Sequence, residues 1–353
     1  MAAYTTIDDP SAYFKVVTYT GNGAANHAIT LPGDTDMQPD MVWIKNRDAT
    51  DDHVLFDVIR GATKVLYPSA DHDEDTDTDT LDSFTSDGFQ VDADVKVNTD
   101  TEKYVAWCWK AGTTSGIAGS PDITPESYSF NQTSGFSIVR YTGTGTGGNT
   151  IPHGLGAVPD WIVTKCQSAD NEQWLNGHTF MNGGVDPYDY AMALPYTGAA
   201  YRHVTYWHDT APTSTLITLG AGGSNNLSSQ TYMLYAWTDI QGFSKFGMYE
   251  GNGNADGTFV YLGFRPALVI IKSSDSTSSW QMFDNKREGY NVDNDALVAE
   301  ATTAEVTTDY IDLLSNGFKV RTASDPGVAE TYIYAAFAEA PFVNSNGVPC
   351  NAR

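Results

Sequence analysis

"FKVVTYTGNG" at residues 14–23 is an apolar, β-branched run that reaches a tyrosine and then two glycines, the pattern of a strand entering a turn. The string returns as "FSIVRYTGTG" at 136–145 and, with one extra residue, as "FSKFGMYEGNG" at 243–253. A proline-led run ending in lysine follows each time: "PDMVWIK" (39–45), "PDWIVTK" (159–165) and "PALVIIK" (266–272). Each stretch then closes on an aromatic run, "YVAWCW" (104–109), "YMLYAW" (232–237) or "YIYAAF" (332–337). Landmarks that recur in one order mark a repeated unit and divide the chain before any local reading.

The closing runs set the fold class. Side chains alternate across a strand, so Tyr104, Ala106 and Cys108 face one way and Val105, Trp107 and Trp109 the other. Both faces are apolar in all three runs, as expected of central strands covered on both sides. With abundant Gly, Thr and Tyr, this predicts an all-β protein of three tandem antiparallel β-sandwiches at 14–111, 135–239 and 242–342. Residues 1–13 form an N-terminal segment, 112–134 a linker or an ordered strap, and 343–353 a tail. The junction "DIQG" (239–242) is short enough to dock the second and third units rigidly, and the long linker leaves the first freer. The landmark lysines, ending their strands, are expected to reach water.

The 353 residues carry 44 Asp and Glu against 19 Lys and Arg, a net charge of -25. Such a surface repels phosphate backbones and anionic membranes, which argues against nucleic-acid partners. No apolar run is long enough for a membrane helix, so no membrane insertion is expected, and the opening residues lack a signal-peptide pattern. Cys108, Cys166 and Cys350 have no paired spacing of a disulfide or zinc framework.

Candidate sites are few. In "DHDEDTDTD" (71–79), Asp71, Asp73, Asp75 and Asp82 echo the spacing of a calcium loop, although the turn glycine and the bidentate glutamate are missing; a solvated loop is the other reading. "FDVIR" (56–60) and "FDNKR" (283–287) set Asp57 three residues before Arg60 and Asp284 three before Arg287. An arginine beside a carboxylate lowers its pKa, which suits a structural ion pair and not a general acid. No nucleophile elbow and no His-Glu-x-x-His motif is present, so no enzyme activity is expected. Tyr188, Tyr190, Tyr196, Tyr201 and Trp207, in the divergent middle of the second unit, are read either as a recognition face or as aromatics packed between units.

The strings "YTTIDDPSAYF", "PDMVWIKNRD", "DVIRGATKVLY", "SDGFQV" and "YVAWCWKAG", with "HGLGAVPDWIV" and "LGFRPALVIIKSSD" further on, resemble a repeated, functionally undefined domain of marine tailed-phage virion proteins. The resemblance implies a lectin-like or jelly-roll-like sandwich on the tail or capsid surface of a virion. The expected role is a tail fibre or receptor-binding protein, with a capsid-decorating or head-fibre protein and a glycan depolymerase as alternatives. The implied partners are other virion proteins, a host-surface glycan or protein, and further copies of the chain, most simply in a homotrimer. No cofactor beyond calcium is implied.

Overall fold

Proline-led β-branched runs and two-faced aromatic runs pair into sheets in the computed structural model, which describes residues 4–287 and 295–350. The first stretch of chain supplies β1 (Phe14–Thr20), β2 (His27–Thr30), β3 (Met41–Asn46), β4 (Val54–Asp57), β5 (Lys64–Val65), β6 (Asp75–Thr76), β7 (Leu81–Thr85), β8 (Gly88–Val91) and β9 (Lys103–Trp109). The second supplies β10 (Ser127–Asn131), β11 (Phe136–Thr142), β12 (Thr150–Pro152), β13 (Trp161–Cys166), β14 (Trp174–His178), β15 (Tyr190–Leu194), β16 (Tyr201–Arg202), β17 (Leu216–Thr218) and β18 (Thr231–Trp237). The third supplies β19 (Ser244–Glu250), β20 (Phe259–Tyr261), β21 (Phe264–Ser273), β22 (Gln281–Asp284), β23 (Leu297–Val298), β24 (Ile311–Leu314), β25 (Gly317–Val320) and β26 (Thr331–Pro341).

The larger sheets share one antiparallel order, β1-β9-β3-β4, β11-β18-β13-β14 and β19-β26-β21-β22. Their registers match as well: Tyr19 lies opposite Tyr104, Tyr141 opposite Tyr232 and Tyr249 opposite Tyr332. A smaller sheet covers one face of each, β2-β8-β7, β12-β17 and β20-β25-β24. The fold is therefore all-β and sandwich-like.

The opening glycines now have separate reasons. A β-carbon on Gly21, Gly143 or Gly251 would lie 2.0, 2.4 or 1.9 Å from a backbone carbonyl oxygen, so the chain approaches too closely there for any side chain. Two residues on, Gly23, Gly145 and Gly253 take positive φ of 63°, 72° and 67°. Between them these positions fold the loop back under the stacked tyrosine pair.

Each two-faced closing strand feeds two cores. Tyr104, Ala106 and Cys108 lie in the first sandwich interior, whereas Val105, Trp107 and Trp109 join a central core with Phe136, Trp161 and Trp237 of the second sheet and Phe246, Ile270 and Phe337 of the third. Trp109 packs edge-on against both Trp237 and Phe337, with centroids 6.3 and 5.5 Å apart. The first sandwich is thus held as tightly as the others, contrary to the expectation from linker length, because half of its main sheet would otherwise be bare.

Three matched backbone hydrogen bonds close the ring: Glu74 N–H to Gln167 O, Ala200 N–H to Ser274 O and Glu305 N–H to Arg47 O, all 2.9 Å. A second set runs from matched positions, just before β4 and β22 and at the first residue of β14. His53 Nε2 donates to Val298 O (3.1 Å), Trp174 Nε1 to Tyr67 O (2.8 Å) and Trp280 Nε1 to Tyr196 O (3.2 Å). Trp43 Nε1 donates to His53 Nδ1, which leaves Nε2 as the proton-bearing nitrogen.

The landmark lysines do not reach water. Lys45, Lys165 and Lys272 are buried, and their ammonium groups donate to backbone carbonyls, those of Asn46 and Ala49, of Asp71 and Glu172, and of Ser273 and Ser276. Burial pulls each pKa down to about 8. The folded chain therefore releases these protons before an unfolded chain, whose lysines titrate near ~10.4. Their contribution to stability is absent below pH 8 and grows as pH rises above it. In urea unfolding at pH 7.5, 8.5 and 9.5, the stability gap between wild type and Lys165→Met is expected to move in favour of wild type by roughly 1 kcal/mol per pH unit above pH 8; a gap independent of pH counts against a buried ammonium. Gly143→Ala is expected to cost at least about 2 kcal/mol as an overpacked backbone contact, while Gly198→Ala, with open space around it, stays near neutral in the same melts.

Candidate functional site

The paired Asp and Arg residues lie at the seams of the ring. Asp57 Oδ2 accepts from Arg60 Nε at 2.6 Å and from the Tyr235 hydroxyl of the second sheet at 2.7 Å, and its Oδ1 takes the N–H groups of Ile59 and Arg60. Asp284 repeats the arrangement, with Arg287 Nε at 2.7 Å and Trp107 Nε1 of the first sheet at 3.1 Å. Both carboxylates are buried and have donors on both oxygens, which leaves neither free to attack or to carry a proton to a substrate. In the second sheet His178 holds the matching position and donates from Nε2 to Tyr334 O of the third at 3.2 Å. Burial draws its pKa down to about 4, so it is neutral at pH 7.

The aromatic group in the second unit does not form one recognition face. Trp207 is 1% exposed and Tyr188 5%, inside the second sandwich, because the indole lies over Gly177, where a β-carbon would fall 2.9 Å from the ring, and the Tyr188 hydroxyl is tied to Pro159 O. Tyr190 leans on the central core and Tyr201 on the second interior. Tyr196 alone of the five is exposed, and its hydroxyl donates to Asp71 at 3.0 Å across a seam.

The acidic run is likewise divided among separate partners. Asp71 meets Tyr196 and Lys165, Asp73 N–H donates to Asp170, Asp75 accepts from Tyr67, and Asp82 is exposed on β7. The four side chains do not converge, and among the described residues no group of three or more His, Cys, Asp or Glu is gathered to hold a metal ion. A linear spacing could not reveal this, since Asp71 and Asp73 are tied to residues distant in sequence.

A different site emerges on the open side of the third sandwich. A cavity of about 350 Å³ lies between the edge of β19 and the end of β20, walled by Tyr4, Asp239, Lys245, Tyr261, Gly263 and Phe342. The Lys245 ammonium sits 5.9 Å from the centre of the Tyr261 ring. Asp239 opens on the cavity on one side, while the protein around the rest of its carboxyl, with Asp160 nearby, pushes its pKa up to about 7. Phe259, at 44% exposed, and Tyr261, at 55%, stand on the outer face of β20. At the matching outward positions the first sandwich has Ala28 and Thr30 and the second Thr150 and Pro152. Sequence reasoning passed over this pair, yet "FVY" against "HAIT" and "TIP" carried the signal.

A family model described as a domain of unknown function, DUF7483, matches residues 9–341 in one span, and the chain belongs to that family. No curated protein and no solved structure matches the chain. Removing one buried partner of a seam ion pair leaves the other charge uncompensated, so Asp57→Ala is expected to lower the unfolding free energy by about 3–5 kcal/mol. Tyr235→Phe, which spares the pair, is expected to cost about 1–3 kcal/mol; chemical denaturation that ranks the two in the opposite order removes Asp57–Arg60 from its structural role.

Proposed function

We propose that this member of the DUF7483 family is a structural protein of a tailed-phage virion, built from one sandwich module written three times and carried on the tail, where it binds the host surface. The landmark strings that resemble phage virion proteins support the virion, and the matched strand orders and seam bonds support the triplication. The observation that carries the non-enzymatic part is the saturation of Asp57 and Asp284: the best-placed carboxylates are committed to holding the sheets together. What remains for function is exterior surface. Its partners are other virion proteins, a host glycan or protein, and further copies of the chain in a trimer. An internal ring of three sandwiches suits such an assembly, since it brings its own three-fold arrangement to a fibre axis.

Gold-labelled antibody against the chain, applied to intact particles in negative stain, is expected to mark the tail. Label over the capsid replaces the tail role with decoration of the head. Incubation of the purified protein with host polysaccharide is expected to release no reducing ends, and their release overturns the non-enzymatic reading.

A further inference from the structure

The second sandwich shows what its open side needs. Residues 112–134 strap across both of its layers: β10 pairs with Phe136 to Arg140 on the outer edge of β11, Glu126 N–H donates to Arg140 O at 2.8 Å, and Ile123 N–H donates to Thr150 O at 2.9 Å. Phe130 of that strap lies flat on Gly154, where a β-carbon would fall 2.6 Å from the ring. Edge strand, cross-layer contact and aromatic plug come from one extended segment.

The third sandwich has a related socket without the strap: Ile240 bridges Ser244 at the start of β19, with Ser244 N–H on Ile240 O at 2.9 Å, and among the described residues the rest of that edge has no strand beside it. Its ladder alternates from Ala338 N–H on Phe243 O to Gly251 N–H on Glu330 O, which turns the N–H and C=O of Met248 outward, at the position of Arg140. No strand pairs with that edge of β19 among the described residues. Asp239 Oδ1 takes the N–H of Phe246 at 3.0 Å, a side chain standing where β10 presents backbone. Gly263, with φ of 82°, matches Gly154, with φ of 76°, each three residues beyond an inward side chain of the small sheet, and the cavity opens over Gly263 where Phe130 sits over Gly154. In the first sandwich Lys15, at the position of Lys245, is buried and donates to Thr35 O at 2.5 Å, and the cavity beside it, lined by Lys15 and Gly33, is smaller, about 120 Å³.

We infer that the open side of the third sandwich is a docking groove for an extended segment of a different polypeptide, which adds a strand to β19 and places an aromatic side chain in the cavity over Gly263. Strand addition of this kind takes its affinity from main-chain hydrogen bonds and its specificity from the pocketed side chain. A second copy of the chain is the poorer occupant: among the described residues its main sheets offer the edges of β1 and β19, and the aromatic side chains of those strands, Phe14, Tyr19, Phe246 and Tyr249, are packed in or against its own cores, which leaves the cavity unfilled. The inference concerns the socket alone and holds whether or not the chain belongs to a virion.

A fluorescein-labelled synthetic peptide of residues 120–134, the chain's own strap, serves as the probe, titrated against the full protein by anisotropy. Saturable binding is expected, weakened at least about tenfold by Phe130→Ala in the peptide. Met248→Pro in the protein is expected to weaken it by at least about tenfold, since it removes an outward donor and spares the ladder to β26. Lys245→Trp, which fills the cavity from a part-exposed side chain, gives the same loss without a backbone change and covers the case in which the proline variant melts early. Equal binding to wild type and both variants overturns the proposal, as does no saturation up to about 1 mM peptide. A concentration-dependent dimer of the protein that Met248→Pro dissolves makes a second copy the occupant and likewise overturns it.

Discussion

Every main sheet has two apolar faces, and a single sandwich can cover only one. That mismatch governs the molecule. Trp107 and Trp109 face away from the first interior, Tyr235 and Trp237 away from the second, and Phe337 away from the third, so each sheet is stable only when the other two roof it. Three sheets around one core satisfy all three bare faces at once. The three main sheets consequently share one core, and a single family span runs across residues 9–341.

A shared core has a cost at its rim, where strand ends and loops from two sheets exclude water from backbone and charged groups. Matched carbonyls and N–H groups meet across each seam, and the polar side chains that border the core are committed there. This explains why so many buried charges accompany so little chemistry. Lysines held by carbonyls, carboxylates held by arginines and neutral histidines resemble the perturbed groups of active sites, but every one has its donors or acceptors inside the rim.

Much of this architecture is legible in the sequence. The order of the landmarks, the two apolar faces of the closing strands, the glycine pair after tyrosine and the Asp–Arg spacing all translate into structure with little loss. Lys45 shows where local reading fails. Alternation puts it on the same face as Met41 and Trp43, hence at the central core, but a lysine ending a strand reads as solvent-facing unless a third sheet is known to lie over it. The same gap misplaces Trp207 and Tyr188, since a loop-like composition conceals that the loop folds back into the sandwich. The acidic run is spread out for the converse reason, Asp71 and Asp73 being tied to Tyr196, Lys165 and Asp170, which only the folded chain brings near. Residues committed by local geometry are readable, and residues committed by neighbouring sheets are not.

The divergences among the three blocks follow from the ring as well. Asp57 needs a polar aromatic across its seam and finds Tyr235; Asp284 needs one and finds Trp107. The matching position on β26 is Ala335, whose side chain has nothing to donate, so a buried carboxylate facing it would lack its fourth donor. His178 stands there instead, neutral, donating to the backbone carbonyl of Tyr334 next to the missing side chain. The loss of the Asp–Arg segment in the second block and the loss of the polar aromatic in the third are thus the two sides of one seam. A change on either side alone would bury an unmatched polar group, and in a closed ring each block's sequence is constrained by the block that follows it.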